Sequence, residues 1–161
     1  MKSLRPPVLA LLCFLTFSGS VYGLLNAMLT LKDTEIAAGS ALDYVENTMD
    51  EMEENAKTDL EKQQIQATYL QLQEGLNANN FKIYGWVLFL SSLLTLIGAM
   101  YMYSLQFTGF YIYAVGTVIG IIGPMLTFGG AMGFGMGFLF AVVGALMVRL
   151  YYKQFKKLEL I

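Results

Sequence analysis

The chain has 161 residues, of which 56% are hydrophobic and 14% charged, with a formal net charge of −2. An ordinary soluble domain carries about 25% charged residues, so that class is excluded. The absence of histidine also removes His-ligated haem, His-based zinc sites and imidazole acid–base chemistry. The single cysteine, Cys13, leaves no internal disulfide and no reading of the redox compartment.

Residues 6–31 carry no charge and are long enough for one crossing of a hydrocarbon layer of about 30 Å, which predicts a first span near 7–31. Pro6 and Pro7 suit a first helical turn, where a missing N–H costs little. A cleaved signal peptide is the alternative for a basic start followed by an apolar core. The apolar run, however, continues past any cleavage point near Gly19 or Gly23, and Leu12 before Cys13 does not fit a lipoprotein signal.

Residues 32–82 hold eleven of the twelve acids and four lysines, a net of −7, while the remainder of the chain nets +5. Within this segment Leu42, Val45, Met49, Met52 and Ala56 step by three and four, a one-sided helical stripe. Thr58-Asp-Leu-Glu61 is a capping box that opens a second helix. Its stripe is Ile65, Tyr69, Leu72 and Leu76, with Gly75, Asn77, Asn79 and Asn80 as a stop. About 50 residues rarely bury enough surface to fold alone. The apolar positions Leu42, Val45, Met49, Met52, Ile65, Tyr69 and Leu72 are therefore expected to pack on each other, on the ends of the spans, or on a partner. Asp50, Glu51, Glu53 and Glu54 read as a solvated face; their spacing matches no EF-hand loop, although oxygen ligands suit calcium.

From 83 to 148 there is no ionisable Asp, Glu, Lys, Arg or His, a run of 66 residues that fits three crossings with two tight turns. Turn residues cluster at 104–109 and at Gly129-Gly130, giving expected spans near 83–103, 110–128 and 131–152. Pro124 is expected to kink the third. Small residues recur on every span: Gly19, Gly23 and Ala27; Ser91, Thr95 and Ala99; Gly116 and Gly120; and Gly129, Gly133, Gly137, Ala141 and Ala145. In lipid such stripes supply packing by close backbone approach, so an internal four-helix bundle is the economical reading and a self-association face on the fourth span the alternative. The Gly133-x-Gly-x-Gly137 cluster lacks the flanking strand of a phosphate loop.

The polar residues of the spans, among them Asn26, Ser91, Ser92, Thr95 and Thr117, are neutral, which argues against proton relays through buried carboxylates. A hydroxyl-lined pore stays open as an alternative. Tyr101, Tyr103, Phe107, Phe110, Tyr111, Tyr113, Tyr151 and Tyr152 are expected to form one interfacial belt, with Phe81, Tyr84 and Trp86 in the other. Lys2, Arg5, Arg149, Lys153, Lys156 and Lys157 flank the spans, which predicts both termini on the cytoplasmic side and the acidic segment outside.

The opening Arg5-Pro-Pro, followed by Leu12-Cys13-Phe-Leu-Thr16-Phe-Ser-Gly19-Ser20, resembles the start of small four-span membrane proteins of unknown function that are frequent in Bacteroidota. The resemblance covers mainly the first span. It implies a bacterial inner-membrane location and brings no activity or catalytic residue.

The expectation is an all-α integral membrane protein with four transmembrane helices and an extracytoplasmic helical hairpin between spans 1 and 2. Its parts are residues 1–31 (cytoplasmic N-terminus and first span), 32–82 (hairpin), 83–152 (three spans) and 153–161 (basic cytoplasmic tail). No catalytic, cofactor or metal site is assigned. The expected partners are membrane lipids and another membrane protein or a second copy, and no nucleic acid. The expected role is a non-enzymatic accessory or scaffold subunit; a small oligomeric channel or transporter around Ser91, Thr95 and Thr117 is the alternative, and a ligand sensor comes third.

Overall fold

The computed structural model describes residues 6–157 and contains six helices: α1 (Pro7–Lys32), α2 (Thr34–Asn55), α3 (Asp59–Gly75), α4 (Ala78–Tyr103), α5 (Thr108–Phe128) and α6 (Gly130–Lys157). No strand occurs among the described residues. Helices α1, α4 and α5, and α6 from Met132 onward, are each long and apolar enough to cross a membrane. The chain is thus an all-α protein with four apolar spans, and a helical hairpin (α2–α3) lies between the first and second.

Local chemistry sets the breaks. Asp33, at φ −134° and ψ 66°, is the one non-helical residue between α1 and α2, and its N–H donates to the Leu29 carbonyl at 3.2 Å. Both halves of the expected capping box form at α3: Thr58 Oγ1 accepts from the Glu61 N–H at 3.2 Å, and Glu61 Oε2 accepts from the Thr58 N–H at 3.1 Å. Asn77 caps α4 by accepting from the Asn80 N–H at 2.9 Å, so that helix begins at Ala78 rather than near 83.

The α4–α5 turn holds a residue type the sequence pattern does not flag. The Gln106 N–H donates to the Tyr101 carbonyl at 3.0 Å and the Leu105 N–H to the Met102 carbonyl at 2.9 Å, the paired bonds of a Schellman stop. Its left-handed residue is Leu105, at φ 61°, where glycine is the usual occupant. The left-handed conformation costs an L-residue about 1–2 kcal/mol; here it is offset by the packing of the Leu105 side chain on the core. The α5–α6 turn uses glycine twice, at Gly129 (φ 60°) and Gly130 (φ 47°).

The four spans form an arc. Helix α4 packs along α5 on one side and α1 on the other, α5 carries α6, and α1 and α6 touch only lightly. They meet at the end of the bundle where α1 begins and α6 stops, here the terminal end. There Leu9, Leu12, Cys13, Ala99, Met102, Tyr113, Tyr151 and Phe155 form a buried core. The Tyr151 hydroxyl shares a 2.8 Å hydrogen bond with Thr16 Oγ1, and its ring lies 5.2 Å from that of Tyr113.

This core corrects two expectations. Tyr113 and Tyr151 are 6% and 0% exposed, so they are core residues rather than interfacial anchors, whereas Tyr101, Tyr111, Tyr152 and Trp86 do stay on the surface. Helix α6 also runs to Lys157 instead of ending near 152, because Gln154 and Phe155 continue its buried face. Phe155 follows Tyr151 by four residues, which keeps both on one side of a helix.

The hairpin is seated on the opposite end of the bundle. Leu76 is buried, Asn80 Nδ2 donates to the Gly75 carbonyl at 2.9 Å, and a Cβ at Gly75 would lie 3.1 Å from the Phe128 carbonyl oxygen. The Phe128 ring in turn sits 5.4 Å from Phe81 and 5.2 Å from Tyr84.

Candidate functional site

Which small residues pack follows from the distances a Cβ would meet. At Gly98 a Cβ would fall 2.6 Å from the Tyr113 nitrogen and 2.8 Å from the Gly109 carbonyl oxygen; at Gly109 it would fall 2.5 Å from the Gly98 oxygen. This is a backbone-to-backbone crossing of α4 and α5. Gly116 continues the seam against Leu94 and Thr95, Gly120 against Ser91, and Gly123 against Val87. On α6, Gly133 meets the Pro124 carbonyl oxygen at 2.8 Å, Gly137 meets Met125 and Ile121, and Gly144 meets Thr117. On α1, Gly23 meets Ser92.

Four expected packing positions behave otherwise. Gly19 is exposed and a Cβ there would meet nothing within 4 Å, Gly129 serves the turn and likewise meets nothing, and Ala141 is only half-buried. The reason for the last is helical drift: each four-residue step overshoots a full turn by about 40°, so a strict four-residue stripe spirals off the contact face. A seven-residue step nearly returns to it, which is why Gly144 packs, seven after Gly137, while Ala145 is exposed. The pairing of Gly98 with Gly109 had no such signal, because it depends on where two helices cross.

Because α1 and α6 part company above the terminal-end core, a cleft of about 300 Å³ opens among the four spans. Gly19, Tyr22, Gly23 and Asn26 line it from α1, and Phe140, Val143 and Gly144 from α6; Ser91, Ser92, Thr95, Thr117 and Gly120 form its back wall. Most of these hydroxyls bond within the bundle. Ser91 Oγ donates to the Gly116 carbonyl at 2.8 Å, and Thr117 Oγ1 to the Tyr113 carbonyl at 2.9 Å. Thr95 Oγ1 lies 3.0 Å from both the Ser91 and Ser92 carbonyls and 2.9 Å from Ser20 Oγ. Ser91, Thr95 and Thr117 are thus brought together, inside one chain rather than on its outer surface. Among the described residues no carboxylate, lysine or arginine lines the cleft.

A second concavity follows the hairpin seam. Met49, Met52 and Ile65, with Glu51, Lys57 and Glu61 at the rim, line an open groove of about 760 Å³. On the other side of the seam Glu46, Asp50, Glu53 and Tyr69 border a smaller one of about 180 Å³. Leu42, Val45, Met49, Ile65, Tyr69 and Leu72 are half-buried between the two helices, and Met52 is 49% exposed. The two helices are bridged by a hydrogen bond from Gln66 Nε2 to Glu53 Oε1 at 3.1 Å. Among the described residues no three His, Cys, Asp or Glu side chains are grouped to hold a metal ion.

Comparison of this chain with protein-family models, with curated proteins and with solved structures finds no match.

Proposed function

We propose that this chain is a non-enzymatic protein of a bacterial inner membrane, an accessory or scaffold subunit that holds a larger membrane assembly through its hairpin. The basic residues flanking the spans support cytoplasmic termini and an extracytoplasmic hairpin. The observation that carries the reading is the underfilled hairpin seam. Met49, Met52 and Ile65 line an open groove on an element that stands outside the apolar spans, and Tyr44, Leu60 and Leu70 on the same two helices are 74%, 65% and 60% exposed. Lipid accounts for apolar surface on the spans; on an acidic hairpin, apolar surface of this kind marks an interaction site. Its complement is an apolar side chain flanked by lysine or arginine on the outer segment of another membrane protein, because residues 32–82 carry a net charge of −7.

A small oligomeric channel draws less support, since the hydroxyls it would use bond within a single bundle and the terminal end is filled by side chains.

The reading is tested with a photo-crosslinking residue at position 52 or 65 of the full chain in intact native membranes. The expected result is one heterologous adduct from both positions, weakened by salt and by Met52→Asp. Monomeric chain without adducts overturns the reading, and so does an adduct only to a second copy. Impermeant labels applied to intact cells should reach residue 50 and not residue 157.

A further inference from the structure

We infer that the cleft between α1 and α6 is a binding site for an uncharged, carbonyl-bearing amphiphile dissolved in the bilayer, entering sideways from the lipid. The site is independent of the hairpin partner proposed above. Ser92 lies ten residues into α4 from Lys82, about 15 Å along a helix, and so stands near the middle of a layer about 30 Å thick. Asn26 lies about 9 Å from Lys32 on the same scale, still within the layer.

Two observations mark this as a site rather than a packing gap. The Ser92 side chain is only 6% exposed, lies against Gly23 in the wall of the cleft, and makes no hydrogen bond among the described residues. The Asn26 carboxamide, at the mouth, also has no hydrogen-bond partner among the described residues, although a polar group in hydrocarbon is costly without one. Their neighbours Ser91, Thr95 and Thr117 are all bonded to backbone carbonyls, which the side chains of Ser92 and Asn26 are not.

The chemistry of the occupant follows. Ser92 and Asn26 each offer a donor, which a carbonyl oxygen accepts. Among the described residues no charged side chain lines the cleft, so a charged ligand would enter unpaired. A phospholipid keeps its charged headgroup at the membrane surface and cannot present it near the midplane. The mouth, between Gly19, Tyr22 and Asn26 on one side and Phe140 and Val143 on the other, is exposed on the lipid-facing side of the bundle, and the terminal-end core closes the floor. A volume of about 300 Å³ admits a carbonyl flanked by one or two rings and leaves an alkyl tail in the lipid.

The test uses the full chain in phospholipid nanodiscs with a decyl-substituted benzophenone, whose carbonyl is both the hydrogen-bond acceptor and the photoreactive group. Saturable labelling is expected within 19–26 and 140–144, competed by a decyl-substituted benzoquinone and not by decylbenzene. Ser92→Ala, which removes only an unpartnered hydroxyl, should weaken half-saturation roughly three- to tenfold. Gly19→Phe should abolish the saturable component by filling the mouth; a Cβ there meets nothing within 4 Å, so the fold is kept. Unsaturable labelling spread evenly over the lipid-facing surface would overturn the site. Equal competition by decylbenzene would overturn its carbonyl preference, and so would unchanged half-saturation in Ser92→Ala.

Discussion

Replacing Gly98 by alanine sets a single methyl against three main-chain atoms of α5. Its Cβ would stand 2.6 Å from the Tyr113 nitrogen, 2.8 Å from the Gly109 oxygen and 2.9 Å from the Tyr113 Cα, and none of these atoms can rotate away. Helices α4 and α5 must separate, and overpacking of this kind costs typically about 1–3 kcal/mol. Alanine returns up to about 1 kcal/mol through its higher helix propensity. The net expectation is a loss of about 1–2 kcal/mol, or a 5- to 30-fold fall in the folded-to-unfolded ratio. Gly19→Ala is the matched control: it has the same chemistry on α1 with nothing within 4 Å, so only the propensity gain remains. Cys13 gives the readout, since it is the sole cysteine and is fully buried in the terminal-end core. Its maleimide labelling, followed across increasing fractions of a denaturing detergent, should have its midpoint lowered in Gly98→Ala and kept or raised in Gly19→Ala. Equal stability of Gly98→Ala and the parent, or an equal loss in Gly19→Ala, would refute the assignment of the α4–α5 crossing.

Three further outcomes are expected. Tyr151→Phe should cost about 1 kcal/mol through the lost bond to Thr16, while Phe155→Ala should cost about 3–5 kcal/mol because the whole ring is buried; the same Cys13 titration separates the two. Thr58→Ala should remove about 1 kcal/mol from α3 alone, seen as faster amide exchange across 59–75 with the spans unchanged. Gly133→Ala should destabilise more than Gly144→Ala, because the first methyl meets main chain, the Pro124 carbonyl at 2.8 Å, and the second meets only side chains, chiefly Thr117, which can shift at the cost of its bond to Tyr113; thermal unfolding of the two variants in detergent ranks them.

The elements written in one-dimensional chemistry were legible. The charge-free runs located the spans, Thr58 and Glu61 located the start of α3, and Gly129-Gly130 located the last turn. What escaped depends on the facing of one helix toward another. Tyr113 and Tyr151 have the composition of a belt, and nothing in the chain says that they point inward to each other. The lysines at 153, 156 and 157 read as a tail, which hid Phe155 beneath them. The left-handed stop fell on Leu105, where no glycine announces it. The cleft was invisible for the same reason: Ser91, Thr95 and Thr117 were recognisable as polar, but the gap beside them exists because α1 and α6 are the loosely joined pair.

The bond between Thr16 and Tyr151 spans 135 positions of the chain. During synthesis, nothing can occupy the place of Tyr151 until the fourth span has been made. A nascent chain ending within α5 therefore lacks the α6 contacts that cover the hydroxyl of Thr16 and the thiol of Cys13. Completion of α6 covers both together, so the fourth span locks the first.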